Sequence, residues 1–177
     1  MKFRKLRADE IEVRVQQVKT WGAVLLLYKD ARCDMNILDE SNAIWKREHS
    51  RDNANCTVSI WYEEIKQWVS REDTGTESNT EKQKGLASDS FKRACFNWGI
   101  GRELYTGPQI KVHAKDMDIK DTGKKDKFNQ PICKTYDQFK VEKVTYDEYG
   151  NIDGLSIVNI KTNKRVFVQQ PKVKANG

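Results

Sequence analysis

The residues with the clearest capacity for chemistry lie between positions 73 and 102. At about 100° per residue of helix, Lys82, Lys92 and Arg93 fall on one side of a segment running from about 80 to 98, with Phe96 among them. Gly85, on the same side, leaves room for close approach. Cations at that spacing neutralise phosphates, and a ring between them stacks a base, which suits a single-stranded nucleic acid. The same residue types also make an ordinary solvated face. Asp89 can pair with Lys92 or Arg93 at i+3 or i+4, and Phe96 can bury against a second subunit. Arg102 either reaches a phosphate or caps the last helical carbonyls. Pattern alone leaves both readings open.

Other chemistries are weakly supported. Asp73, Glu77, Glu81 and Asp89 would be the acidic set of a metal-dependent nuclease. Glu81, however, completes a capping box with Ser78, and Asp89 has its helical partners. Thr74-Gly75-Thr76 suggests a phosphate loop, but no G-x-x-x-x-G-K-[ST] occurs, so nucleotide binding is unsupported. Cys33, Cys56, Cys95 and Cys133 form no C-x-x-C pair, and the only histidines are His49 and His113. Four reduced, mostly buried thiols are the expectation. No metal site, cofactor or catalytic group is expected.

The elements that position these residues follow from periodicity. Residues 1–20 open basic and do not distinguish helix from edge strand. Residues 21–28 are apolar and β-rich, a buried strand. Ala31, Met35 and Leu38 then share one helical face. Strands are expected over 43–50, over 55–64, where Cys56, Val58, Ile60 and Tyr62 alternate with polar residues, and over 67–73. A helix from about 80 to 98 packs through Ala87, Phe91, Ala94 and Trp98 and stops at Gly99-Ile100-Gly101. Residues 111–131 read as a charged mobile loop, 139–160 as a hairpin with a further strand over 165–168, and 171–177 as a frayed tail. The fold class is α+β: an antiparallel β-meander packed on a long α-helix, with a C-terminal β-hairpin extension.

Composition sets outer bounds. The 177 residues carry 32 Lys and Arg against 26 Asp and Glu, with a pI near 9.1 and 37% apolar residues. So thin a core favours oligomerisation. Positions 1–107 hold 18 cations against 17 carboxylates, and positions 108–177 hold 14 against 9. No run of 18 apolar residues exists to cross a membrane, and Asp9, Glu10 and Glu12 follow the basic start where a signal peptide would be apolar, so a cytoplasmic location is expected.

Glu81-Lys-x-Lys-Gly-x-x-Ser-Asp-Ser-Phe-Lys-Arg-Ala-Cys-Phe-x-Trp-Gly-Ile-Gly-Arg-x-Leu-Tyr105 resembles the signature of phage and bacterial single-strand annealing proteins, relatives of the eukaryotic recombination protein Rad-fifty-two. The strand over 55–60, Trp68 with the Asp73-Thr-Gly-Thr-Glu segment, and the opening fifteen residues are similar to the same family. The resemblance covers residues 1–108. It implies a single-strand annealing core over 1–108; residue composition, not the resemblance, gives the basic flexible loop over 109–135 and the β-rich extension and tail over 136–177. The resemblance further implies homo-oligomeric rings that hold single-stranded DNA in a positive groove and anneal complementary strands without ATP in phage-type recombination and repair. Host single-strand-binding protein and a phage exonuclease are the implied partners. Lys92 and Arg93 map onto the family's phosphate-contacting pair, and Arg14 onto an early basic contact. The family's further basic residue, three positions after the pair, is Phe96 here, where stacking would replace a phosphate contact. A coating protein or recombination adaptor without annealing activity is the alternative.

Overall fold

The structure, a computed structural model, describes residues 2–76 and 82–171. Chain order runs β1 (Glu12–Lys19), β2 (Gly22–Tyr28), α1 (Ala31–Glu40), β3 (Trp45–Ser50), β4 (Asn55–Tyr62), β5 (Gln67–Thr74) and α2 (Lys82–Asn97). It continues with β6 (Ile110–His113), β7 (Lys120–Lys125), β8 (Pro131–Lys134), β9 (Phe139–Tyr146), β10 (Ile152–Asn159) and β11 (Lys164–Gln169). The fold is α+β with antiparallel sheets. Contacts divide it into two compact units, Met1–Lys5 with Lys29–Arg102, and Leu6–Tyr28 with Glu103–Gly177. The expected cap at Ser78 and Glu81, the acidic Glu77 and residues 172–177 lie outside the described residues.

In the first unit β3, β4 and β5 pair in sequence order, from Trp45↔Ile60 through Trp61↔Trp68. Alternation along β4 sends Cys56, Val58 and Ile60 inward, all fully buried, and α2 covers them. Phe91 and Ala94 of α2 are equally buried. Trp45 stacks on Phe91 with centroids 6.2 Å apart, and the Trp98 Nε1 donates to the Val58 carbonyl at 3.0 Å. On the opposite face Trp61 and Trp68 meet edge to face at 5.7 Å. Gly75, at the end of β5, lies against the helix backbone: a Cβ there would come within 2.5 Å of Ser90 N and 2.8 Å of Leu86 O. Close packing is thus the reason for the glycine in Thr74-Gly75-Thr76.

α1 starts at Asp30, whose carboxylate accepts the Cys33 N–H at 2.9 Å. Its buried face is Cys33, Asp34, Ile37 and Leu38; of the expected Ala31, Met35 and Leu38, only Leu38 is fully buried. The face turns because Lys29 draws the Asp34 carboxylate inward.

The second unit is a six-stranded sheet in the order β11-β10-β9-β1-β2-β6. Its edges, β6 and β11, approach each other, so the sheet nearly closes into a barrel. The undecided N-terminal residues thus form a short 3-10 turn, Ala8–Glu10, and then β1, an interior strand and not an edge, and β9 to β11 continue the sheet that β1 and β2 begin. β1 and β9 share the single pairing Glu12↔Lys140. Residues 109–135, expected as a loop, carry β6 and the β7–β8 hairpin. No helix among the described residues is long and apolar enough to cross a membrane.

Gly75→Ala inserts a methyl group into backbone that has no side chain to swing aside. It is expected to destabilise the protein by about 1–3 kcal/mol, read as a lowered midpoint in urea. An unchanged midpoint would contradict the packing.

Candidate nucleic-acid interface

The C-terminal half of α2 and the facing edge of β5 carry a connected polar network. Asp73 sits at its centre. Its Oδ1 accepts the Thr74 N–H at 2.7 Å and the Arg93 Nε at 3.3 Å, and its Oδ2 accepts the Asn97 Nδ2 at 3.2 Å. Asn97 Nδ2 also donates to the Glu72 carbonyl at 3.0 Å. Arg102 folds back over the helix end and donates to the carbonyls of Phe96, at 2.8 and 3.1 Å, and Asn97, at 3.0 Å. In the structure Arg102 serves as a cap, and the residue stays exposed.

Arg71 joins this group and was not picked out by the sequence. Alternation along β5 puts Val69, Arg71 and Asp73 on the side facing α2. The Arg71 guanidinium lies 4.9 Å from the Trp98 ring centroid, and Arg47 on β3 lies likewise 4.8 Å from Phe91. Cation–π contact orients a guanidinium without neutralising it. Arg71, Arg93 and Arg102 thus border one seam, each oriented and each exposed in part.

The other proposed residues sit differently. Lys92 has a side chain only 15% exposed, with its Nζ 3.9 Å from Asp89 Oδ1. Phe96 is half-buried instead of open, and the Lys29 ammonium lies 4.3 Å from its ring centroid. The helical wheel put Lys92, Arg93 and Phe96 on one side, but the side chains part: Phe96 meets Lys29, whereas Arg93 turns to Asp73 on β5. Lys82 begins α2, and its side chain lies outside the described residues. Arg14 belongs to the second unit, where it stacks 4.4 Å from the Tyr28 ring and pairs with Glu12 at 2.9 Å. The acidic candidates are occupied: Asp73 as above, and Asp89 by the Thr76 N–H at 2.9 Å and the Thr76 hydroxyl at 3.2 Å. Among the described residues no cluster of His, Cys, Asp and Glu could hold a metal ion. Tyr105, which ends the motif, is 70% exposed.

The first unit also holds a buried ion pair. Lys29 Nζ donates to Asp34 Oδ1, with side chains 1% and 0% exposed. Burial pushes the Asp34 carboxyl up to about 6, against the opposing pull of the Lys29 and Lys92 charges. Its Oδ2 has no hydrogen-bond partner among the described residues. No protein-family model, curated protein or solved structure matches the chain.

Asp34→Ala leaves the Lys29 ammonium buried without its carboxylate and is expected to cost about 3–5 kcal/mol, whereas Lys29→Met combined with Asp34→Leu restores most of it. Chemical denaturation of the two variants beside the unaltered protein checks this. The folded Asp34 titrates above its ordinary 3.8, so folding takes up a proton between that value and about 6. The carboxyl's contribution to stability therefore falls as pH rises through this window, and Asp34→Asn should flatten that part of the thermal-stability profile.

Proposed function

We propose that this chain binds single-stranded DNA and anneals complementary strands without ATP, acting as a homo-oligomeric ring. The observation that carries the reading is the β5–α2 seam. Its three guanidinium groups, Arg71, Arg93 and Arg102, are oriented by an aromatic ring, a carboxylate and the helix-end carbonyls. The resemblance over residues 1–108 points the same way. Phosphates entering the seam replace weak contacts of exposed side chains, and Asn97 offers a neutral donor beside them. Annealing needs no catalytic group. The protein concentrates and extends two strands, and base pairing supplies the driving force. The near balance of charge in positions 1–107 means that affinity arises from local arrangement multiplied around an oligomer.

Lys92→Ala with Arg93→Ala is expected to abolish both oligonucleotide binding and ATP-free annealing of complementary strands, and Arg71→Ala to weaken both. Unchanged annealing in the double variant, with its circular dichroism intact, overturns the site. Binding without annealing over a time course identifies a coating or adaptor protein instead. A monomer in light scattering overturns the ring.

A further inference from the structure

The β7–β8 hairpin takes no part in the seam, yet its surface has a definite character. Positions 120–134 carry Lys120, Lys124, Lys125, Lys127 and Lys134 against only Asp121 and Asp126. Both carboxylates serve the hairpin itself. Asp121 Oδ1 accepts the Gly123 N–H at 2.8 Å. Asp126 Oδ1 accepts the N–H groups of Phe128 at 2.8 Å and Gln130 at 3.0 Å, and its Oδ2 lies 3.8 Å from Lys19 Nζ. Among the described residues none of the five lysines has a carboxylate partner.

Lys120 and Lys134 stand directly opposite each other across the two strands. Like charges in that position repel and destabilise the pair. The aromatic ring of Tyr136 lies beside both, its centroid 5.5 Å from the Lys120 ammonium and 5.6 Å from that of Lys134. At the hairpin tip Lys127 lies 5.0 Å from the Phe128 ring centroid. Tyr136 and Phe128 are 69% and 71% exposed. Two open rings flanked by unneutralised ammonium groups match a chain of phosphates carrying unpaired bases: cations meet the backbone, and rings meet base faces. A duplex hides its base faces, so the rings select single strands.

We propose that the β7–β8 hairpin and Tyr136 form a separate contact surface for single-stranded DNA. The surface belongs to the second unit and does not depend on the β5–α2 seam. Lys120 and Lys134 bind phosphate, and Tyr136 and Phe128 stack bases.

The test measures binding of fluorescent oligothymidine to the full chain across a salt series. Lys120→Ala with Lys134→Ala is expected to make the log–log salt slope shallower by about 1.4, from about 0.7 per neutralised phosphate on a single strand. Lys120→Arg with Lys134→Arg should keep the slope. Photocrosslinking from 5-iododeoxyuridine should label Tyr136 or Phe128. An unchanged slope and no label at either ring overturn the proposal, and loss of binding in the Arg71→Ala, Arg93→Ala variant would leave the seam standing in that case. Retained binding and hairpin labelling in the seam variant support the hairpin and count against the seam. Oligouridine is the RNA arm: equal binding, lost in the same hairpin variant, supports the surface for single strands of either sugar. Hairpin-dependent binding to phosphatidylserine vesicles, with oligothymidine binding unaffected, overturns it in favour of a membrane.

Discussion

An ammonium group closed off from water must find compensating charge, and Lys29 finds it in a carboxylate and a ring. The Asp34 carboxylate accepts its proton, the π face of Phe96 lies beneath it, and its methylene stem fills the space over Gly101. A Cβ at Gly101 would come within 2.4 Å of the Lys29 Cε, at a backbone φ of +73° that already favours glycine. One side chain thereby fixes the first turn of α1, the last turn of α2 and the reversal that follows α2. The orientation of the seam rests on this arrangement, because Arg93, Asn97 and the carbonyls gripped by Arg102 all belong to the helix that Lys29 holds.

Some of this was legible in the sequence for plain physical reasons. Strict alternation at Cys56, Val58 and Ile60 determines a face, and Phe91 with Ala94 determines the stripe that meets it. Helical geometry alone put Lys92, Arg93 and Phe96 on one face. Only Arg93 stays substantially exposed, turned to Asp73, because a wheel accounts for one packing partner and α2 has two. Lys29 gave no signal: a lysine at the end of an apolar run looks like a strand end reaching water. Its burial depends on a carboxylate five residues later and a ring some 67 positions away. Arg71 was concealed differently. Its face follows from alternation along β5, but a charged residue on a meander reads as solvated until Trp98 is placed beside it. Strand pairing between residues 12–28 and 110–169 was invisible, since periodicity reports which side of a strand is buried and not which strand lies alongside.

The chemistry of the seam is that of restrained cations. A guanidinium in a tight, buried, bidentate pair is lost to an incoming anion, and one waving freely loses side-chain entropy on binding. Arg71 and Arg93 lie between these limits, held by a ring face and by a single long contact to Asp73. Such contacts pre-orient without saturating the donors. Asp73 meanwhile keeps Thr74 and Asn97 as partners when Arg93 turns to a phosphate, so exchange strands no carboxylate without donors.

β2 and β6 are neighbours in the sheet, Leu25 opposite Ile110, yet Lys29–Arg102, all of the first unit but its first five residues, lies between them in the chain. Residues 29–102 are therefore an insertion within a hairpin connection. Closing an unstructured loop of that length carries an entropic cost that grows with its logarithm. An insert that has already folded, with Lys29 seated on Gly101, brings its own ends together and shortens the loop to a few residues at each side. The strand pairing of β2 with β6 thus inherits its loop closure from the insert, and what looks like a long-range contact in the sequence is a short-range one once the insert is folded.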